Sequence, residues 1–190
     1  MDFLDSLEWF SVLMNLAFIV LLIREQKIAW PFGIVGSLVS IYLFLTTQLY
    51  SEAILYSYYV IMGFYGWYIW SREKDKAIPI TEWSWLTHLY LIVFGVLCSL
   101  GMGYFFEQNT DAAMPYADAF STTFSFIATY LEAKKIISTW YFWIVLNTFS
   151  IWLYLSRGLE VYAALMVVYA VLSVVGLLAW RKTFVAQRAG

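Results

Sequence analysis

Two tryptophans and an asparagine in the segment WYFWIVLN have the types and the spacing to hold a flat ring. Trp140, Trp143 and Asn147 stand at i, i+3 and i+7, which places them along one face of a helix. The indoles could stack on an aromatic ring while the carboxamide hydrogen-bonds its substituents. A cationic ring would gain about 0.5–2 kcal/mol from each aromatic face. The competing interpretation for Trp140 is an anchor in the aromatic belt at the membrane–water interface.

A second set of candidate ligand-binding residues lies between residues 48 and 59. Glu52, Tyr56 and Tyr59 recur along one helical face, and Gln48 precedes them in a hairpin that an entering ligand would pass. Tyr169 joins the set because it is the counterpart of Tyr59 in the internal repeat described below. Each tyrosine could equally be structural, since the chain contains 15 of them.

The sequence offers little for catalysis or for metal binding. His88 is the sole histidine and Cys98 the sole cysteine, so there are no paired haem ligands, no disulfide within the chain and no His or Cys cluster. Ser84 and His88 lie one helical turn apart without an apparent oxyanion arrangement, and no nucleotide-binding loop is found. We therefore expect no enzymatic activity, no cofactor and no bound metal.

The elements that must position the candidate residues are membrane-spanning helices. The chain is 63% hydrophobic and 13% charged, whereas soluble domains carry about 25% charged residues. A spanning helix needs roughly 20 mostly apolar residues, and seven runs qualify. They cover residues 7–23, 29–47, 52–70, 86–106, 118–134, 139–156 and 160–180. We therefore predict an all-α integral membrane protein with seven transmembrane helices.

The placement of lysine and arginine predicts the orientation of these helices. With seven spans, all of the 11 basic residues except Arg157 fall on one side. Cytoplasmic loops carry an excess of Lys and Arg, so the N-terminus should lie outside and the C-terminus in the cytoplasm. The acidic start, MDFLDSLEWF, is unlike a secretory signal, and we interpret the first apolar run as a retained helix.

Residues 30–70 are repeated, without a gap, at residues 140–180. Identical pairs include Trp30 and Trp140, Tyr59 and Tyr169, Gly66 and Gly176, and Trp70 and Trp180. Matches of Trp, Tyr and Gly in one register favour a true internal repeat over shared composition. Asn147 falls on Ser37, so the carboxamide breaks the pseudo-symmetry, as recognition of an asymmetric ligand requires.

The repeat predicts a 3+1+3 architecture within one membrane domain, residues 1–190. Residues 7–75 and 118–182 form two parallel three-helix repeats, and residues 86–106 form the linking helix that returns the chain. Parallel repeats of this kind occur in transporters, where the substrate site lies near the midplane between the repeats. The alternative is that duplication merely built a stable helical bundle.

Other polar residues in the spans have structural interpretations. Asn15, Ser125 and Thr129 are expected to hydrogen-bond between helices. Glu132 lies close to Lys134 and Lys135 in the sequence, near the predicted cytoplasmic end of its span, and we expect its side chain to extend to the interface.

Several motifs resemble the Pnu-type vitamin transporters, the family of PnuC. They are the Trp-Pro-x-Gly-Ile opening at residue 30, the Leu-Tyr-Ser-Glu hairpin, the helix end YGWYIW and the segment ATYLEAKKIISTWYFWIVLN. The likeness extends from about residue 9 to residue 182. It implies a fold similar to the SWEET sugar transporters, a homotrimer in the bacterial cytoplasmic membrane, and a vitamin precursor as substrate. It further implies that a cytoplasmic kinase traps the product.

The expected function is uptake of nicotinamide riboside by facilitated diffusion. In the family the site is built from Trp, Asn and Tyr side chains, and WYFWIVLN is the segment that matches it. Thiamine uptake by the same mechanism is an alternative, since both compounds carry a cationic aromatic ring; riboflavin is a more distant family substrate. A non-transporting membrane scaffold is the alternative from another class.

Overall fold

Seven α-helices account for almost all of the described chain. The computed structural model describes residues 3–46, 50–72 and 78–189, and of residues 50 and 51 only the backbone. The helices over these ranges are α1 Phe3–Ile23, α2 Ala29–Thr46, α3 Tyr50–Ser71, α4 Trp85–Asn109, α5 Pro115–Ala133, α6 Thr139–Ser156 and α7 Glu160–Ala189. The predicted all-α fold with seven helices is confirmed, with most helix ends within a few residues of the predicted ones.

Four of the described helices, α1, α2, α4 and α7, are long and apolar enough to cross a membrane by length and composition. The sequences of α3 and α6 contain many Tyr and Trp residues together with Ser and Asn, which lower their hydropathy. The side chains of α5 are the most thoroughly covered by protein, with nine buried residues. Helices covered by neighbouring helices need less apolar surface than helices that face lipid.

The chain divides into two compact units, Met1–Pro79 and Ile80–Gly190. In the first unit α2 contacts both α1 and α3. In the second unit each helix packs against the next, from α4 through α5 and α6 to α7. Each contact between described helices thus joins two helices that are consecutive in the chain.

The turn between the first two helices of the repeat has the same geometry in both units. Glu25 and Lys135, which occupy equivalent positions, are the two non-glycine residues with positive φ in the described chain, at 57° and 52°. The residue after each of them donates its amide N–H to the carbonyl five residues earlier. Gln26 donates to Leu21 over 3.0 Å, and Ile136 donates to Leu131 over 2.9 Å. This is the Schellman arrangement, which satisfies helix-end carbonyls and stops the helix.

A pair of perpendicular tryptophans forms the core of each unit. Trp30 meets Trp70 with ring centroids 5.5 Å apart at 85°, and Trp140 meets Trp180 at 5.2 Å and 88°. These are edge-to-face contacts, which add to the large apolar area that each indole buries. The internal repeat read from the sequence therefore corresponds to a repeated packing motif.

A glycine makes room for each of these pairs. A Cβ atom at Gly66 would overlap the ring of Trp30, and one at Gly176 would overlap the ring of Trp140. Both tryptophans are only 1% exposed, so their rings cannot swing into open space. The glycines let the third helix of each repeat approach the second closely.

We predict that Gly176→Ala destabilises the protein by about 1–3 kcal/mol, because the added methyl overpacks a rigid buried ring. Thermal unfolding in detergent measures the effect. Gly101→Ala is the matched control, since a Cβ there meets no atom within 4 Å and alanine is the better helix former. Equal unfolding temperatures for the two variants would contradict the packing role of Gly176.

Candidate functional site

The three candidate residues of α6 point toward two different neighbouring helices. Trp140 packs on Trp180 of α7, and Asn147 donates a hydrogen bond to Ser173 of α7. Trp143 instead bonds to Glu132 of α5. At about 100° per residue, seven residues make nearly two full turns, so Asn147 lies almost directly along the helix from Trp140. Three residues fall about 60° short of one turn, so Trp143 lies to one side of that line. The structure thus places Trp143 and Asn147 on adjacent flanks of one helix.

Trp143 and Glu132 form a hydrogen bond between α6 and α5. The indole Nε1 donates to Oε2 of the carboxylate over 2.7 Å, and Glu132 is 3% exposed. The expectation that this carboxylate extends to the interface is wrong. Its side chain turns inward because the indole N–H on the next helix offers a donor that offsets part of the cost of burial.

A second polar contact joins α6 to α7. The Asn147 Nδ2 donates to the Ser173 hydroxyl over 3.1 Å, and that hydroxyl donates to the carbonyl of Tyr169 one turn earlier, over 2.8 Å. Ser173 is fully buried, and Asn147 is 8% exposed. Asn147 and the backbone of Tyr169 thus belong to one hydrogen-bonded chain. The Tyr169 side chain is half-buried on the same helix.

Neither polar pair exists in the first unit. The positions equivalent to Glu132 and Trp143 are Leu22 and Gly33, and those equivalent to Asn147 and Ser173 are Ser37 and Gly63. Leu22 is buried at 1% exposure, as Glu132 is at 3%. The second unit therefore carries a carboxylate, an indole and a carboxamide at positions where the first unit packs without them.

Sequence reasoning missed Ser173 and misplaced Glu132, although the repeat contained the signal for both. Glu132 replaces a leucine and Ser173 replaces a glycine of the other half. Where one repeat has a polar residue and the other has an apolar or small residue at the equivalent position, packing alone does not determine the residue type. That comparison, applied to every position, would have singled out both residues.

Trp140 is surrounded by protein. It is 1% exposed, and its Nε1 has no hydrogen-bond partner in the described structure, as is also true of Trp30. The shared burial of these equivalent residues indicates that Trp140 supports the bundle core from within. Its role in ligand binding stays a prediction.

The candidates of the first unit form part of an aromatic row. Tyr56 contacts Phe44 of α2 with centroids 5.1 Å apart, and it contacts Tyr59 at 5.2 Å. Glu52 is half-buried near the start of α3. Gln48 lies outside the described residues. The structure therefore brings together two of the four residues, Tyr56 and Tyr59.

Two of the polar residues expected to bond between helices bond within their own. Thr129 donates to the Ser125 carbonyl over 2.8 Å, and Asn15 donates to Ser11 over 3.3 Å. A threonine hydroxyl inside a helix can bond to the carbonyl one turn earlier, which accounts for the Thr129 bond. A hydrogen bond between α1 and α2 is instead made by Ser11, whose hydroxyl lies 2.7 Å from the Ser40 hydroxyl.

Ser84 and His88 have structural contacts. The Ser84 hydroxyl accepts from the Thr87 amide and caps α4, while the His88 Nε2 lies 2.7 Å from the Ser138 hydroxyl. The two side chains do not bond to each other. Within the described ranges, no group of three or more His, Cys, Asp or Glu residues could hold a metal ion.

Seven described helices, four of them long and apolar enough to cross a membrane, define the class as a polytopic helical membrane protein. The chain belongs to the nicotinamide mononucleotide transporter family, whose model matches residues 5–182. This match confirms the family resemblance noted in the sequence.

Two curated relatives are each 22% identical to this chain. The match to the nicotinamide riboside transporter PnuC of Escherichia coli K12 covers 67% of this chain but only 64% of that protein. The match to the riboflavin/roseoflavin transporter RibM of Streptomyces davaonensis covers 83% of this chain and 76% of RibM.

The fold is also found in a solved structure. The crystal structure of the vitamin B3 transporter PnuC superposes with a TM-score of 0.78 at 20% identity, covering 95% of this chain and 82% of that one. At this identity the likeness establishes the fold.

We predict that Ser173→Ala destabilises the protein more than Ser99→Ala does. Both buried hydroxyls donate to a carbonyl one turn earlier, but only Ser173 also accepts from another helix. The difference should be about 0.6 kcal/mol and at most about 1.7 kcal/mol, the range for polar contacts between membrane helices. Thermal unfolding measures it, and it should vanish in an Asn147→Ala background.

Proposed function

We propose that this chain is a membrane transporter that takes up nicotinamide riboside by facilitated diffusion, with a cytoplasmic kinase trapping the product inside the cell. The observation that carries the proposal is the family match, which covers residues 5–182 of 190. The nicotinamide riboside transporter of E. coli among the relatives supports the choice of substrate.

The proposed ligand site is centred on the polar flanks of α6. Trp143 offers an indole face for stacking on the nicotinamide ring, and Asn147 offers a carboxamide for its amide or ribose groups. The indole and the carboxamide are already held by Glu132 and Ser173, so little side-chain entropy remains to be lost on binding. The full set of proposed substrate-binding residues is Trp140, Trp143, Asn147, Tyr169, Tyr59, Tyr56, Glu52 and Gln48.

Facilitated diffusion is the simplest mechanism for this chain. The sequence contains no nucleotide-binding loop, and trapping by phosphorylation would maintain the inward gradient without ion coupling. The repeat supports a 3+1+3 arrangement of seven spans, and the distribution of basic residues supports an outside N-terminus and a cytoplasmic C-terminus. The proposed location is the bacterial cytoplasmic membrane, and the proposed assembly is a homotrimer.

Thiamine is the alternative substrate, taken up by the same mechanism. Its thiazolium ring, like the pyridinium ring of nicotinamide riboside, is flat and cationic, and either could stack on Trp143. The relative RibM makes riboflavin a third compound to test. A non-transporting scaffold is disfavoured by membership in a transporter family.

We expect the purified protein to bind nicotinamide riboside with a dissociation constant in the micromolar range or below, equivalent to about −8 kcal/mol. Isothermal calorimetry with nicotinamide riboside, thiamine and riboflavin in parallel measures the preference. Binding of thiamine alone would select the alternative substrate. Binding of none of the three would refute the proposed function.

We expect Trp143→Ala and Asn147→Ala each to lower nicotinamide riboside uptake into proteoliposomes by tenfold or more, as expected for a central binding residue. Uptake is measured without ATP and without an ion gradient, so that activity of the unaltered protein also tests facilitated diffusion. Trp152→Ala is the matched control, because Trp152 lies on the same helix and is 54% exposed. Equal uptake by all three variants would contradict the site.

A further inference from the structure

The Glu132 carboxylate is buried with one neutral hydrogen-bond partner. Its Oε2 accepts from the Trp143 indole, and only 3% of the residue is exposed. Among the residues that the structure describes, Oε1 accepts no hydrogen bond and the carboxylate forms no ion pair. The nearby Lys134 ammonium is placed against the Tyr130 ring, 6.0 Å from its centroid.

The surroundings of Glu132 favour a neutral residue. Ala128, one turn earlier on the same helix, is fully buried, and Lys135, three residues later, is 2% exposed but forms no described ion pair with Glu132. A buried carboxylate is costly unless a positive charge or several donors compensate it, and one indole N–H supplies only part of that compensation. The charged form of Glu132 therefore needs a cation beside it, which none of the described residues supplies through an ion pair.

Packing does not require the carboxylate. The equivalent residue of the first unit, Leu22, is 1% exposed and is followed by the same left-handed turn three residues later. An apolar side chain therefore satisfies the fold at this position. A residue that the fold does not need and that is costly to bury calls for a ligand as its explanation.

We propose that Glu132 is the specificity-determining residue of the Trp143 site and selects ligands with a cationic aromatic ring over neutral ones. A pyridinium or thiazolium ring near Trp143 supplies the positive charge that the carboxylate lacks. This inference rests on the proposed function, since it assumes that Trp143 contacts the ligand.

The hydrogen bond between Glu132 and Trp143 serves this selection in two ways. It fixes the orientation of the indole, so that the ring face is presented in one position. It also polarises the indole, because a donor bonded to an anion shifts electron density onto its ring. A more electron-rich indole attracts a cation more strongly. A neutral isoalloxazine ring benefits from neither the charge nor the polarisation.

The test compares pairs of ligands that differ in ring charge. Nicotinamide riboside is paired with its reduced form, whose dihydropyridine ring is neutral, and thiamine with its neutral 3-deaza analogue. Calorimetry gives the preference for the cation in the unaltered protein and in Glu132→Gln, which keeps an acceptor for Trp143 but removes the charge. Glu132→Leu introduces the residue type that the first unit has at the equivalent position, and it removes both the hydrogen-bond acceptor and the charge. Thermal unfolding verifies that each variant is folded.

We expect the unaltered protein to prefer the cation of its pair by about tenfold or more, the scale of a hydrogen-bonded charge interaction. Glu132→Gln should reduce that preference to near unity by weakening the cation alone, and Glu132→Leu should weaken both members. An unaltered protein that binds both members equally, or a folded Glu132→Gln that keeps the preference, would overturn the inference and leave the proposed function intact. Absence of binding to every compound would overturn both.

Discussion

The perpendicular contact of Trp140 with Trp180 sets the alignment of α6 against α7, on which the rest of the second unit depends. The two helices run antiparallel, so each step forward along α6 is matched by a step back along α7. Asn147 lies seven residues after Trp140, and Ser173 lies seven residues before Trp180. The tryptophan contact and the polar contact are therefore about 10 Å apart in one common register. A shift of one residue would leave the buried carboxamide facing apolar side chains.

The two units show how one packing frame serves two purposes. Both units keep the tryptophan pair, the glycine beneath it and the left-handed turn. Among the described residues, only the second unit adds an acid and an indole, between α5 and α6, and a carboxamide and a hydroxyl, between α6 and α7. Shared features therefore hold the helices together, while the differing ones are candidates for recognition. Comparison of the two units distinguishes structural residues from candidate binding residues better than residue type does, because residue type does not distinguish Trp140 from Trp143.

Much of the fold could be predicted from the sequence because it depends on local signals. Apolar runs and turn residues identified all seven helices, and identical residues at a constant offset identified the repeat. The partners of buried polar groups could not be predicted in this way. Glu132 turns inward because a donor on another helix faces it, whereas Thr129 finds its partner one turn away in its own helix. That choice depends on how closely two helices approach, a distance that no single segment encodes.

The division of the chain between Pro79 and Ile80 bears on how the protein is made. Trp30, Trp70 and Gly66 all lie in the first unit, so its core can close without any residue of the second. The ribosome adds about 5–20 residues per second, so the second unit is completed seconds after the first. During that interval the first unit has Leu22 at the position where the second unit will have Glu132. The unit that is synthesised first thus has no buried charge at this position.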